Sequence, residues 1–331
     1  MTHTTLVCAL MIGAGPRLAW RLCNLNWFPI CLMGAMLTGA VALTSFSIEP
    51  VVFGITMAAA FVLALLGYHH LHASSDLVDT KLVFMLVAIA QVISVTAIVG
   101  PLSYVVGSFN WPLQDDALSA IDSAMGFDSK AVILFANDHP FLCGVLNFGY
   151  DMIKWPLLAI PIVLAKTSRF ARLQQFVMSL SVALLITIVI SAFIPAIGTY
   201  QVLGLTAPDV PNVNLAAFLV QQHDIPALRE GSLRHLELFK LAGIVTFPSF
   251  HAASAVLFAW ALWPVRGFGS VALVLNALMI ASTPILGGHY LIDVIGGMAL
   301  ASACIMTSKR LSKYGGQHNA LMAPTLAITA K

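Results

Sequence analysis

Residues 82–106 read LVFMLVAIAQVISVTAIVGPLSYVV, an unbroken stretch without one charged side chain. A helix needs about 20 apolar residues to cross the hydrocarbon core of a bilayer, and only a helix satisfies its own backbone polar groups there. Residues 174–194 repeat the pattern. The same criterion along the whole chain gives eight candidate spans, at 27–46, 51–67, 82–106, 145–165, 174–194, 248–265, 269–287 and 289–308. The second is short and the fourth carries Asp151 and Lys154; the other six are plain. This predicts an all-α polytopic integral membrane bundle of about eight transmembrane spans. One membrane domain is expected over 27–308, with a leader at 1–26 and a tail at 309–331.

Composition agrees with that reading. Of 331 residues 59% are hydrophobic and 9% charged, and mean hydropathy is +0.92. Soluble chains carry about 25% charged residues, so most of this surface must meet lipid. A net charge of +2 offers nucleic acid no basic face. Cys8, Cys23, Cys31, Cys143 and Cys304 are scattered, with neither a disulfide framework nor a zinc spacing. The apolar stretch within residues 1–15 lacks a preceding basic residue and a cleavage motif, so it is expected to be a flexible or interfacial leader.

Eight spans place the loops alternately on two sides, and the charges sort with them. Arg17, Arg21, Lys81, Lys166, Arg169, Arg172, Arg266, Lys309, Arg310, Lys313 and Lys331 share the side of both termini. Lys130, Arg229, Arg234 and Lys240 fall on the other, and Lys154 falls inside a span. Basic residues stay in the cytoplasm, so both termini are expected there. The two long loops, 107–144 and 195–247, are then external. The first holds an amphipathic stretch, with Leu118, Ile121 and Met125 set against Asp115, Asp116 and Asp122, expected to lie along the interface.

Two external helix starts carry chemistry. Phe247-Pro248-Ser249-Phe250-His251 opens the sixth span; proline suits a first turn, serine caps it, and unpaired N–H groups there attract phosphate. Gly287-Gly288-His289-Tyr290-Leu291-Ile292-Asp293 opens the eighth. Its His289 and Asp293, four apart, share a helix face. Taken singly, these are also what a capped helix and a structural His–Asp pair look like. The hairpin between them brings His251, His289 and Asp293 to one membrane face, where two histidines can divide nucleophile and acid–base roles. Tyr68-His69-His70-Leu71-His72, with Asp76 and Asp79, is a weaker metal-like cluster on the cytoplasmic side.

FPSFHAAS followed by HYLID resembles the second and third signature motifs of the type 2 phosphatidic acid phosphatase superfamily. The likeness is closer to the branch of inositol phosphorylceramide synthases and their bacterial relatives. Residues 243–299 carry the specific match, and a weaker one reaches Pro195-Ala196-Ile197-Gly198 and residues 117–156. The resemblance implies a sphingolipid- or phospholipid-processing membrane enzyme without cofactor or metal, set in a bacterial plasma membrane with its site on the external face. It implies that His289 attacks phosphorus, Asp293 orients it, and His251 protonates the departing alkoxide. The first phosphatase motif, KxxxxxxRP, has no counterpart, and Ser282-Thr283 stands where the third begins Ser-Arg. Candidate phosphate-binding residues are therefore Ser249, Lys154, Arg229 and Arg234. The expected substrate is a lipid phosphate or phospholipid, with water or a lipid or polyol hydroxyl as acceptor. Alternatives are a metal-dependent membrane hydrolase, because His/His/Asp is also a ligand set, and a transporter using Asp293, Asp151 and Lys154.

The orientation is testable directly. A reporter fused after Lys331 is expected to read as cytoplasmic and one inserted near Pro211 as external; the opposite pair of readings overturns the topology.

Overall fold

A computed structural model of the protein describes residues 18–73 and 77–321, with side chains placed for 18–70 and 80–312. The chain runs through α1 (Trp27–Leu43), α2 (Pro50–Ala73) and α3 (Leu77–Gly107), then α4 (Asp115–Ala124), α5 (Ser129–Asn137), α6 (Pro140–Asp151) and α7 (Lys154–Lys166). It continues with α8 (Phe170–Phe193), α9 (Thr199–Leu203), α10 (Ala216–Glu230), α11 (Phe250–Leu262), α12 (Gly269–Leu286) and α13 (Leu291–Leu321). The molecule is a membrane helical bundle, as its composition requires. A two-residue parallel pairing joins β1 (Ser47–Ile48) to β2 (His235–Leu236), with Ser47 opposite His235.

Among the described residues six helices are long and apolar enough to cross a bilayer, or seven if the bent pair α5–α6 counts as one. Two of the eight expected spans take another form. The stretch 145–165 is broken between Asp151 and Lys154. Pro156 lacks the N–H that a continuous helix would use here, but in the first turn of a new helix it lacks nothing. The sixth span is the 13-residue α11, about 20 Å long at 1.5 Å per residue. The first, by contrast, extends back to Leu18. The metal-like cluster falls at the end of α2, where the His69 and His70 rings meet edge to face at 6.0 Å; His72, Asp76 and Asp79 lie outside the described side chains.

Burial separates the helices by role. In α8, 67% of the best apolar window is buried inside the protein, against 17% in α2. α8 packs against α3, α11 and α13, while α2 leans on α3 and turns Val51, Ile55, Phe61 and Leu65 outward. Lipid tails are as apolar as these side chains, so helix association must draw on close packing and polar contacts. One such contact is an amide cluster. Asn26 Nδ2 donates to Gln174 Oε1 at 2.8 Å and to the Gln174 carbonyl at 3.2 Å, and Gln91 Nε2 donates to the Cys23 carbonyl at 2.7 Å. All three amide side chains are fully buried.

The turns sort to two ends of the bundle. The β1–β2 pairing, the Gln114–Pro195 and Thr199–Gly288 backbone bonds, and the α4–α13 packing gather residues 44–49, 108–139, 195–249 and 287–290 at one end. At the other end Arg169 donates to the Pro264 carbonyl at 2.6 Å, and Arg172 caps α11 through the Trp260 and Ala261 carbonyls with its guanidinium over the Trp260 ring. The large external loops expected from the sequence thus share one end.

The amide cluster makes a quantitative prediction. A double-mutant cycle over Asn26→Ala and Gln174→Ala, read by unfolding in bicelles, is expected to give a coupling near 0.6 and below about 1.7 kcal/mol, the range for interhelical side-chain bonds in bilayers. Zero coupling would mean that the two amides do not hold α1 to α8.

Candidate active site

Ser249 caps α11. Its backbone is extended, its Oγ accepts from Ala252 N–H at 3.4 Å, and its own N–H donates to the Asp293 carbonyl at 3.0 Å. It is fully buried, so it ties α11 to the start of α13 instead of facing a ligand. Gly297 makes this approach possible: a Cβ there would collide with the Ser249 carbonyl. The N–H groups of Ala252 and Ala253 are satisfied by Ser249, whereas those of Phe250 and His251 have no partner among the described residues at the helix start. His251 stands in that first turn, its ring stacked on Tyr150 of α6 with centroids 4.1 Å apart and planes 9° from parallel.

His289 and Asp293 are both buried, with Nδ1 3.3 Å from Asp293 Oδ2, and toward an ionised carboxylate the ring nitrogen is the donor. The same Oδ2 accepts from Tyr290 N–H at 2.9 Å. Holding Nδ1 this way leaves the lone pair on Nε2. His251 and His289 meet around Tyr150. A Cβ on Gly287 would stand 2.7 Å from the His289 ring and 3.0 Å from the Tyr150 hydroxyl, so only glycine leaves room for that convergence. Tyr150 was not singled out from the sequence, because only the tertiary fold brings α6 beside His251.

The turn that presents His289 is pinned from outside the spans. Thr199 donates to the Gly288 carbonyl through its N–H at 2.8 Å and its Oγ1 at 3.1 Å. Asp115 accepts from Ile197 N–H at 3.0 Å, Gly198 N–H at 2.7 Å and the Tyr290 hydroxyl at 2.9 Å. Asp122 accepts from Leu291 N–H at 2.7 Å and Ile292 N–H at 3.0 Å. The first N–H groups of α13 are therefore occupied, and of the two helix starts only α11 keeps donors without a partner among the described residues. Burial raises the Asp122 carboxyl above its usual range, and the two N–H donors pull it back. The sequence sets Leu118, Ile121 and Met125 against Asp115, Asp116 and Asp122; the structure buries Leu118 together with Asp115 and Asp122 and leaves Ile121, Met125 and Asp116 exposed.

A cavity of about 560 Å³ opens beside His251 and Tyr150. Lys154 and Lys240 line it, along with Asp151, and its apolar wall includes Val99, Leu184 and Ile188. Lys240 also pairs with Glu237 at 2.8 Å. The helix break at 152–153 is what lets Lys154 face this space. The two loop arginines sit elsewhere. Arg229 donates to the Trp111 carbonyl at 3.0 Å, and burial pulls its guanidinium below the ordinary range, with Asp115 opposing. Arg234 donates to the Leu228 carbonyl at 2.7 Å and lies over the Phe46 ring. Ser282 and Thr283 both turn back to the Met279 carbonyl within α12. Lysines, not arginines, are thus the cations beside His251 among the described residues.

The model of the PAP2 superfamily matches residues 116–307. No curated protein and no solved structure matches the chain.

Gly198 adopts φ +124°, and a Cβ on it would stand 2.6 Å from the Gly288 carbonyl oxygen. Gly198→Ala should push the 288–290 turn away and lower turnover of a phosphate ester by about 100-fold, the penalty typical of a 1 Å misplacement. Gly204→Ala is the control: its φ is also positive, but a Cβ meets nothing within 4 Å, so its turnover should stay near normal. Equal turnover in the two variants would remove the turn from the site.

Proposed function

Because this chain belongs to the PAP2 superfamily, a group of phosphatase- and phosphotransferase-type lipid enzymes, we propose that it cleaves a phosphate ester of a membrane lipid through a phosphohistidine on His289. The observation that carries the reading is that a buried His289–Asp293 pair meets His251 around Tyr150, and that His251 and Tyr150 share a cavity with Lys154 and an apolar wall. In this reading the His289 Nε2 lone pair forms the bond to phosphorus while the ester P–O bond breaks. Asp293 holds the ring and stabilises the cation that develops on it, as carboxylates do in hydrolase triads. His251 gives its proton to the departing oxygen, then takes one from the acceptor that attacks the phosphohistidine. Lys154 and the N–H groups of Phe250 and His251 offset the phosphate charge. Lys240 joins them at the cavity wall, while Arg229, Arg234 and Ser249 act on the scaffold.

The acceptor is water or a lipid or polyol hydroxyl. The first makes the protein a phosphatase, the second a head-group transferase of the kind the FPSFHAAS and HYLID motifs resemble. The charge distribution supports a site on the external face, with both termini in the cytoplasm.

Purified protein mixed with a labelled lipid phosphate and quenched in alkali should retain label that is lost in acid. His289→Ala should abolish it, and Asp293→Asn should lower turnover strongly with the fold retained. His251→Ala should lose about 10²–10⁴-fold on an alkyl phosphate, the usual contribution of a general acid. It should form phosphoenzyme from an aryl phosphate at nearly the normal rate, because a nitrophenolate leaves without a proton. Label that persists in His289→Ala would refute the nucleophile. Activity lost to a chelator and restored by one divalent ion would favour the metal-dependent hydrolase.

A further inference from the structure

We propose that Asp122 is a positioning residue for His289, acting from a helix outside the spans by capping the first turn of α13. The inference rests on His289 being the nucleophile. α13 begins two residues after His289, and its opening N–H groups need acceptors that its own preceding segment, Gly287-Gly288-His289-Tyr290, does not supply in full. Asp293 takes the N–H of Tyr290. The next two, on Leu291 and Ile292, go to Asp122, which lies 169 and 170 positions earlier in the chain.

A cap borrowed from that distance does more than end a helix. It fixes where α13 starts relative to α4, and hence where the histidine just before it projects. The upstream side of the same turn is held by Thr199 on the Gly288 carbonyl, and the tyrosine between by Asp115. His289 itself donates only to Asp293, a residue of the helix being placed. That pair moves as a body with the start of α13, so its distance from His251 on α11 is set by the anchors and not by the pair. Ser249 also holds the start of α13, from α11 through the Asp293 carbonyl, and Asp122 is the anchor that takes its first-turn N–H groups from outside the spans.

Asp122 carries none of the cavity wall beside His251. It borders a separate cavity of about 370 Å³ with Ser119, Ser123 and Thr199. Water entering from that side can reach the Leu291 and Ile292 N–H groups when the side chain is shortened. The helix then stays capped but is no longer tied to α4.

The test uses full-length protein in nanodiscs, with a nitrophenyl phosphate and a dioleoyl lipid phosphate as substrates and orthovanadate as a phosphate-site probe. In Asp122→Ala the single-turnover rate of phosphoenzyme formation should fall about 100-fold on both substrates, as expected for a misplaced reacting group. The nearly isosteric Asp122→Asn keeps one acceptor oxygen for the two donors and should fall between the two. KM, vanadate inhibition and thermal midpoint should stay near normal. An unchanged rate, or a raised KM with the rate retained, overturns the positioning role. So does a rate loss matched by loss of vanadate binding and of thermal stability. Should Asp122→Ala fail to fold, Asp122→Asn carries the same comparison. His289→Ala runs alongside: label surviving there defeats the nucleophile assignment, whereas label lost there with normal Asp122 variants defeats only the present inference.

Discussion

Two carboxylates buried on one face of a ten-residue helix hold the site together. A carboxylate removed from water is expensive unless its oxygens are fully hydrogen-bonded, and backbone N–H groups satisfy it without adding a mobile counter-charge. Asp115 and Asp122 take that solution. The first gathers Ile197, Gly198 and Tyr290; the second gathers Leu291 and Ile292. Two stretches of chain distant in sequence, 197–198 and 290–292, are thereby fixed around α4. Asp115, away from the cavity that borders Asp122, could not be replaced by an apolar residue without leaving the Ile197 and Gly198 donors unpaired, a penalty of about 1–3 kcal/mol for each group.

The spans supply a different kind of constraint. Inside the bilayer there is no hydrophobic gain in packing one helix on another, so close approach and polar contacts decide the arrangement. Gly296 and Gly297 let α13 lie against Phe247, Pro248 and Ser249, which sets the separation of the two histidine-bearing helices. The amides of Asn26, Gln91 and Gln174 hold α1, α3 and α8 by the same logic from the interior. α2 uses both devices on a smaller scale, Gly67 against Val87 of α3 and Tyr68 on Trp27 and Asn24, and has the smallest buried share among the long apolar helices described.

Much of this was legible in the sequence, for identifiable reasons. Long apolar runs such as 82–106 and 174–194 have few alternatives to a membrane helix, and both appear as helices near the expected bounds. His289 and Asp293 were paired because four-residue spacing fixes a shared face, and the structure joins them. The failures share a cause. Hydropathy sees apolar length but not backbone hydrogen bonding, so it ran through Met152 and Ile153, where Pro156 starts a new helix. It also set Asp115 and Asp122 against Leu118, because their partners are backbone N–H groups from loops far along the chain, which leave no mark on local composition. Tyr150 and Lys240 were passed over for the same reason: only the tertiary fold brings α6 and the 238–243 segment beside His251.

The helix that carries His251, α11, is short. Its 13 residues cover about 20 Å, against about 42 Å for the 28 residues of Thr80–Gly107 in α3, so one of the histidine-bearing helices is about half the length of its long neighbour. A full hydrocarbon core is about 30 Å thick. Arg169 and Arg172 tie the far end of α11 to the opposite turns, and His251 stands at its other end. The space above is filled by α4, α9, α10 and the segment leading into Phe247, whose carboxylates and glycines hold the 288–290 turn. Beneath this polar cover, the cavity beside His251 keeps an apolar wall of Val99, Leu184 and Ile188 from α3 and α8. A phosphate ester whose chains remain in the membrane meets matching surroundings there, with its head group toward Lys154 and Lys240 and its chains against span residues. A small water-soluble phosphate would leave that wall uncovered. On the proposed reading, the wall formed by Val99, Leu184 and Ile188 is where the chains of a lipid phosphate would lie while Lys154 and Lys240 face its head group.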